Sequence, residues 1–246
     1  MREQDELTPA IGLRTALLVL LGVVLGAVVA SVIAPSWVPG LTESLLGPSP
    51  KAYWYLSRAS GLVGYVFLWA AVALGLLITG RASRIWPGGP AAVDMHQFAS
   101  LLGIAFATFH GVILLGDEYM SYTVWQILLP FTTDGYRPLW VGLGQMAFYV
   151  SLIVAFSFYV RQRIGPRTWR VLHYGSFAVY LFTLAHGLMS GTDVSSSAVV
   201  AMYVATGILT YALLVYRILA TARQERQPSR EVSAHAEVGH SVARRG

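Results

Sequence analysis

The chain has 246 residues, of which 55% are hydrophobic and 12% charged, with a net charge of +5 and no Cys. Charged residues are about half as frequent as in a soluble domain, which excludes a water-soluble globule. Zero Cys excludes disulfides, thiolate metal sites, Cys-ligated iron–sulfur clusters and c-type haem attachment, so any metal must be held by His or oxygen ligands.

Residues 1–12 form a polar N-terminal segment, followed by six apolar stretches marked off by Pro, Gly and charge clusters. Each stretch is long enough to cross a hydrocarbon core of about 30 Å. The first span is Leu13–Ala34; its long apolar run, with Pro35 after the small-residue exit at Val32-Ile33-Ala34, points to an uncleaved helix and not to a signal peptide. The second is Tyr55–Thr79 and the third Asp94–Gly116. The connection from Asp117 to Trp140 is the longest, and its Tyr119, Tyr122, Trp125, Phe131, Tyr136 and Trp140 suit an interfacial aromatic belt. The fourth, fifth and sixth spans are Leu139–Val160, Trp169–Gly191 and Ala198–Leu219, and the polar run 221–246 is expected to be a disordered cytoplasmic tail. The expected fold is therefore all-α: a polytopic six-helix transmembrane bundle over residues 13–220.

Basic residues orient the bundle. Twelve of the seventeen Lys and Arg fall in the second loop (Arg81, Arg84), the fourth loop (Arg161, Arg163, Arg167, Arg170) and the C-terminal region. The positive-inside rule makes these cytoplasmic, and both termini with them, so the basic balance reports membrane orientation and not nucleic-acid binding. A bacterial plasma membrane is the expected location, with lipid as the surrounding partner.

Six His occur, and His96, His110, His173 and His186 lie inside spans, where ionisable residues are rare and usually functional. The third span carries His96 and His110 fourteen residues apart; the fifth carries His173 and His186 thirteen apart. Both spans run in the same direction, and separations of about 21 Å and 20 Å pair His96 with His173 near the cytoplasmic face and His110 with His186 near the outer face. Two imidazoles from facing helices supply both axial ligands of a haem, so the pattern predicts two b-type haems stacked across the bilayer. Phase fits one span better: fourteen residues return to within about 40° of the same face, while thirteen miss it by roughly 140°. The fifth span then needs either imidazoles leaving opposite flanks or a local irregularity.

Gly103 lies seven positions from both His96 and His110, and Gly111, Gly175 and Gly187 flank the histidines, which suggests room for a porphyrin. Each glycine taken singly also fits close helix packing. Haem propionates call for cations: Arg84, Arg167 and Arg170 are the candidates beside the inner pair, and Arg58 beside the outer pair. Asp117, Glu118 and Asp134 read as solvated loop acids. The same four His also fit a haem-free proton or ion transporter, or a subunit whose haems only anchor a partner complex.

These residues resemble the ferric reductase-like transmembrane domain family. That family includes the membrane cytochrome b parts of ferric reductases and NADPH oxidases, and the haem subunit of bacterial methionine-sulfoxide reductase. The resemblance spans about residues 53–219. It is carried by Ser57-Arg58-Ala59-Ser60-Gly61, His96 and His110, Leu129-Pro130-Phe131 with Tyr136-Arg137-Pro138-Leu139-Trp140, Trp169-Arg170-Val171-Leu172-His173, and His186-Gly187. It implies that the four His ligate two haem b groups carrying electrons from the cytoplasmic side to an acceptor at the outer face: ferric iron, oxygen or an extracytoplasmic reductase partner. Fused family members continue into flavin and nicotinamide domains, whereas about 27 residues follow the sixth span and no Gly-rich phosphate loop occurs. The implied oxidoreductase component therefore takes electrons from a separate donor, either quinol or a flavoprotein carrying FMN or FAD.

Overall fold

The computed structural model describes residues 11–33, 51–80 and 88–243, and among them every regular element is helical. The helices are α1 Leu13–Ile33, α2 Ala52–Thr79, α3 Gly89–Val112, a short α4 Val124–Leu128, α5 Pro138–Ile164, α6 Pro166–Ser190 and α7 Ser197–Ala243. Single 3-10 turns follow α3 (Ile113–Gly116) and α6 (Thr192–Ser195).

Four of these are long and apolar enough to cross a membrane: Ala52–Thr79, Gly89–Gly116, Pro138–Ile164 and Ser197–Ala222. The sequence expects six. The stretch counted for α1 is the shorter Leu13–Gly26. α6 has 25 residues, enough length to span, but Arg167, Arg170 and its two His dilute its apolar character. α7 continues as helix to Ala243 in place of the expected disordered tail. Ala, Arg, Glu and Gln, all strong helix formers, dominate residues 220–226 and carry the helix past its apolar part.

Proline and glycine set the boundaries. α3, α5 and α6 each have Pro in the first turn, where the missing N–H has no intrahelical acceptor to lose. Gly165 alone joins α5 to α6, ending one and starting the other at φ 80°, a conformation a side chain would strain. The result is two antiparallel hairpins, α2–α3 and α5–α6, with α1 against α3 and α7 against α2.

Small residues let the helices approach. A Cβ on Gly64 would lie 3.3 Å from Phe106, and one on Gly103 would lie 2.9 Å from the Leu68 side chain. Without a hydrophobic drive between helices in lipid, such close backbone packing and buried hydrogen bonds hold the bundle. The tyrosines Tyr65, Tyr180 and Tyr203 form the buried centre where α2, α6 and α7 meet. Tyr65 hydroxyl and Thr206 Oγ1 are 2.6 Å apart, and Trp69 Nε1 donates to Thr210 Oγ1 at 3.1 Å, so α7 is fixed to α2 by two polar rungs.

The bundle has two unlike ends. At the long-loop end lie the starts of α2, α5 and α7, the ends of α3 and α6, and residues 117–137. The short-turn end holds Gly165 and the start of α1, whose Ile11 carbonyl accepts from Gln97 and Tyr159.

Candidate functional site

The four helical histidines of α3 and α6 meet in two pairs. His96 faces His173 with ring centroids 6.0 Å apart, and His110 faces His186, also at 6.0 Å. The first pair sits towards the short-turn end and the second at the long-loop end. Fourteen residues of α3 separate the two levels, a rise of about 21 Å.

Backbone carbonyls of neighbouring helices orient three of the four rings. His96 Nδ1 lies 2.7 Å from Ala71 O, His110 Nδ1 2.7 Å from Ser57 O, and His186 Nδ1 2.8 Å from Trp140 O. A carbonyl can only accept, so each Nδ1 carries the proton and donates it, which leaves the Nε2 lone pair free for a metal. His173 Nδ1 is buried with no hydrogen-bond partner, and the Trp169 ring lies beside it at 5.1 Å.

The thirteen-residue spacing on α6 involves no irregularity, because Pro166–Ser190 is one continuous α-helix. The two imidazoles therefore leave opposite flanks. His186 leans onto the first turn of α5 through Trp140, while His173 stays beside Trp169 on its own helix.

Glycines make room for three of the rings. A Cβ on Gly61 would lie 2.9 Å from His110 Nδ1, one on Gly144 2.6 Å from His186 Nδ1, and one on Gly75 3.4 Å from His96 Cε1. Gly61 closes the motif Ser57-Arg58-Ala59-Ser60-Gly61, while Gly75 and Gly144 are not among the glycines that the sequence pattern selects. Gly103 lies at the crossing of α2 and α3, where a Cβ would lie 2.9 Å from the Leu68 side chain. Gly175 likewise meets Val154 and Val150, and Gly187 meets the Tyr203 hydroxyl.

The Arg candidates fare differently. Arg58 forks onto Asp193, with Nε donating to Oδ2 at 2.8 Å and the second nitrogen on Oδ1, tying the start of α2 to the turn before α7. Arg167 and Arg170 are exposed, and Arg170 donates to Pro166 O. Arg84 lies outside the described residues. Arg217 of α7, which the sequence reading passes over, stands close enough to His173 for its charge to act on that ring. A cation at the polar end of an apolar span is the signal that points to it.

The quoted motifs resolve into contacts around the long-loop pair. Ser57 Oγ donates to His110 O at 3.0 Å, and Tyr136 hydroxyl donates to Ser190 O at 2.8 Å. Arg137, in the left-handed region at φ 43°, caps α5 and donates to Met189 O. Phe131, at φ 63°, packs against Gly142. A cavity of about 290 Å³ surrounds His110 and His186, lined also by Gly61, Tyr65, Gly144 and Thr183.

The ring spacing would leave room for a metal ion between the members of each pair. Two iron–nitrogen bonds of about 2 Å, with each ring centre about 1.1 Å behind its nitrogen, put the centroids roughly 6.2 Å apart. No cluster of three or more His, Cys, Asp and Glu occurs among the described residues, so each pair offers two ligands. Two imidazoles per site suit a metal whose remaining positions come from a macrocycle, and fall short of the four protein ligands of a structural zinc site. No protein-family model, curated protein or solved structure matches the chain.

Proposed function

We propose that this chain is a six-helix membrane cytochrome b that passes electrons across the bilayer through two bis-histidine haem b sites. The inner site is His96 with His173, and the outer is His110 with His186. The observation that carries the reading is the repeated pair: two imidazole couples at 6.0 Å, about two-thirds of a hydrocarbon thickness from each other in level, with three of the four ring protons turned to backbone carbonyls. Proton pathways have no need for that repetition. The likeness of the His spacing to the ferric reductase-like family adds to it.

A haem bound at each site would supply one-electron iron chemistry. The protein's part is to hold the imidazoles as neutral donors and keep water away. Each Nδ1–H to carbonyl bond fixes the tautomer and makes Nε2 a stronger donor. α1 and α6 complete the six spans, with α6 turning His173 and His186 inward. The long-loop end then faces outward and the short-turn end, with its Arg-rich connections, faces the cytoplasm. Electrons enter at the short-turn end from a separate flavoprotein or quinol, and leave at the long-loop end to ferric iron, oxygen or a partner reductase.

The test is the colour and haem content of purified protein. About two haems per chain and a Soret band that sharpens on dithionite reduction are expected for bis-His ligation. His110→Ala should remove one haem and abolish transfer across proteoliposomes while the other haem stays spectrally intact. A colourless protein from haem-replete cells, or full retention of both haems in His110→Ala, would overturn the reading.

A further inference from the structure

The short-turn end holds a cation that packing turns inward. α7 is fixed to α2 by the rungs Tyr65–Thr206 and Trp69–Thr210, and a Cβ on Gly80 would lie 3.1 Å from the Tyr216 ring. At about 100° per residue, Tyr203, Thr206, Thr210 and Arg217 fall within about 60° of one another on α7. Arg217 therefore continues the stripe that faces the bundle. It is partly buried, whereas its neighbours Tyr216 and Ile218 are 46% and 59% exposed.

Its level follows from the same rungs. Thr210 stands opposite Trp69, and seven further residues carry Arg217 about 10 Å towards the short-turn end. On α2 the same direction leads in about 3 Å from Trp69 to Ala71, whose carbonyl holds His96. Arg217 thus springs from α7 about 7 Å beyond the His96 anchor, on the side of the short-turn end. Its charge is close enough to act on His173.

The guanidinium has no anion beside it. Arg217 makes no hydrogen bond or ion pair with a described residue, and the ion pair that does occur among them, Arg58 with Asp193, lies at the opposite end. The cations that the sequence offers to the inner pair are placed otherwise: Arg167 and Arg170 are exposed, and Arg170 donates to Pro166 O. A partly buried cation is costly unless a paired charge offsets its desolvation. An anion delivered by a ligand of the His96–His173 site would supply that pairing.

We propose that Arg217 anchors a propionate carboxylate of the haem held by His96 and His173, a role that rests on the haem reading above. Two axial imidazoles leave a macrocycle free to turn about the line joining them. A guanidinium grips a carboxylate through two parallel hydrogen bonds, so Arg217 fixes that rotation and turns the acidic edge towards α7 and the cytoplasmic surface.

The test titrates full-length protein in nanodiscs with haemin and with haemin dimethyl ester, whose masked carboxylates cannot pair with a guanidinium. Protein from haem-deficient cells carries His110→Ala as the background, which leaves the inner site to load, and binding is read from the Soret band. The background protein is expected to bind haemin more tightly than the ester. Adding Arg217→Gln should weaken haemin binding about 10- to 100-fold, the usual effect of losing charge-assisted hydrogen bonds, and leave the ester affinity unchanged. Arg217→Lys, which keeps the charge without the fork, should recover part of the loss. Unchanged haemin affinity in Arg217→Gln would overturn the proposal, and so would an equal loss of haemin and ester, which marks a structural role. Failure of the background protein to bind either porphyrin would overturn the haem reading itself, and this proposal with it.

Discussion

Gly144→Ala is the sharpest probe of the long-loop histidine pair, because one methyl group meets the imidazole directly. Its Cβ would lie 2.6 Å from His186 Nδ1, 2.8 Å from Cγ and 2.9 Å from Cε1, where 3.4 Å is the start of ordinary contact. The ring must retreat by about 0.8 Å, more than the roughly 0.5 Å that a preorganised ligand tolerates. The Nδ1 bond to Trp140 O is 2.8 Å now, and such a retreat stretches it beyond hydrogen-bond range. Overpacking of about 1–2 kcal/mol and a lost hydrogen bond of about 1 kcal/mol together weaken ligation by roughly 2–3 kcal/mol, some 30- to 150-fold. Purified Gly144→Ala protein should therefore carry about one haem per chain in a pyridine haemochrome assay, that haem being held by His96 and His173. Gly207→Ala is the control, since a Cβ there meets nothing within 4 Å. Two haems and an unshifted Soret band in Gly144→Ala would refute the reasoning.

Two further outcomes follow from buried polar contacts. Arg58→Ala and Asp193→Ala should each lower thermal stability, and the double variant should be little worse than either. A double-mutant cycle should give a coupling of about 1–2 kcal/mol, as expected for a forked pair whose side chains are 30% and 22% exposed. Strict additivity would deny the pair any role. Thr206→Val leaves the Tyr65 hydroxyl, buried in the three-tyrosine centre, without its partner and should cost about 1–3 kcal/mol in detergent unfolding. Adding Tyr65→Phe in that background should recover most of the loss; no recovery would place the effect elsewhere.

Much of the helical layout is legible because apolar runs and Pro-Gly punctuation are local signals. The expected Tyr55–Thr79 is Ala52–Thr79, and Leu139–Val160 is Pro138–Ile164, each extended by polar or aromatic turns that a hydropathy boundary trims. The pairing of His96 with His173 and of His110 with His186 is legible from depth, since rise per residue is nearly constant along a helix. The glycines are legible in part. Gly111 and Gly187, next to their histidines in the chain, line the cavity at the long-loop pair, whereas Gly61, Gly75 and Gly144 touch rings on other helices, a relation with no fixed spacing in the chain. The carbonyl acceptors are equally hidden, because every residue has one and only the packing selects Ser57, Ala71 and Trp140. Trp169–Gly191 reads as a span because it is an apolar stretch of sufficient length, but the Arg and His content of α6 sets it apart from the four strongly apolar helices.

The carbonyl anchors have an evolutionary side. An acceptor borne by a side chain can be deleted by one codon change, but Ala71 O, Ser57 O and Trp140 O belong to the main chain and survive any substitution that keeps their helices in place. Three of the four imidazoles thus have an acceptor that no substitution at the acceptor residue itself deletes, so only a change that displaces the ring, such as Gly144→Ala, reaches them. His173, with Trp169 beside it and Arg217 nearby, is the exception, since its surroundings are made of replaceable side chains. Drift or selection acting on this scaffold would retune the short-turn end first and leave the long-loop end electronically constant.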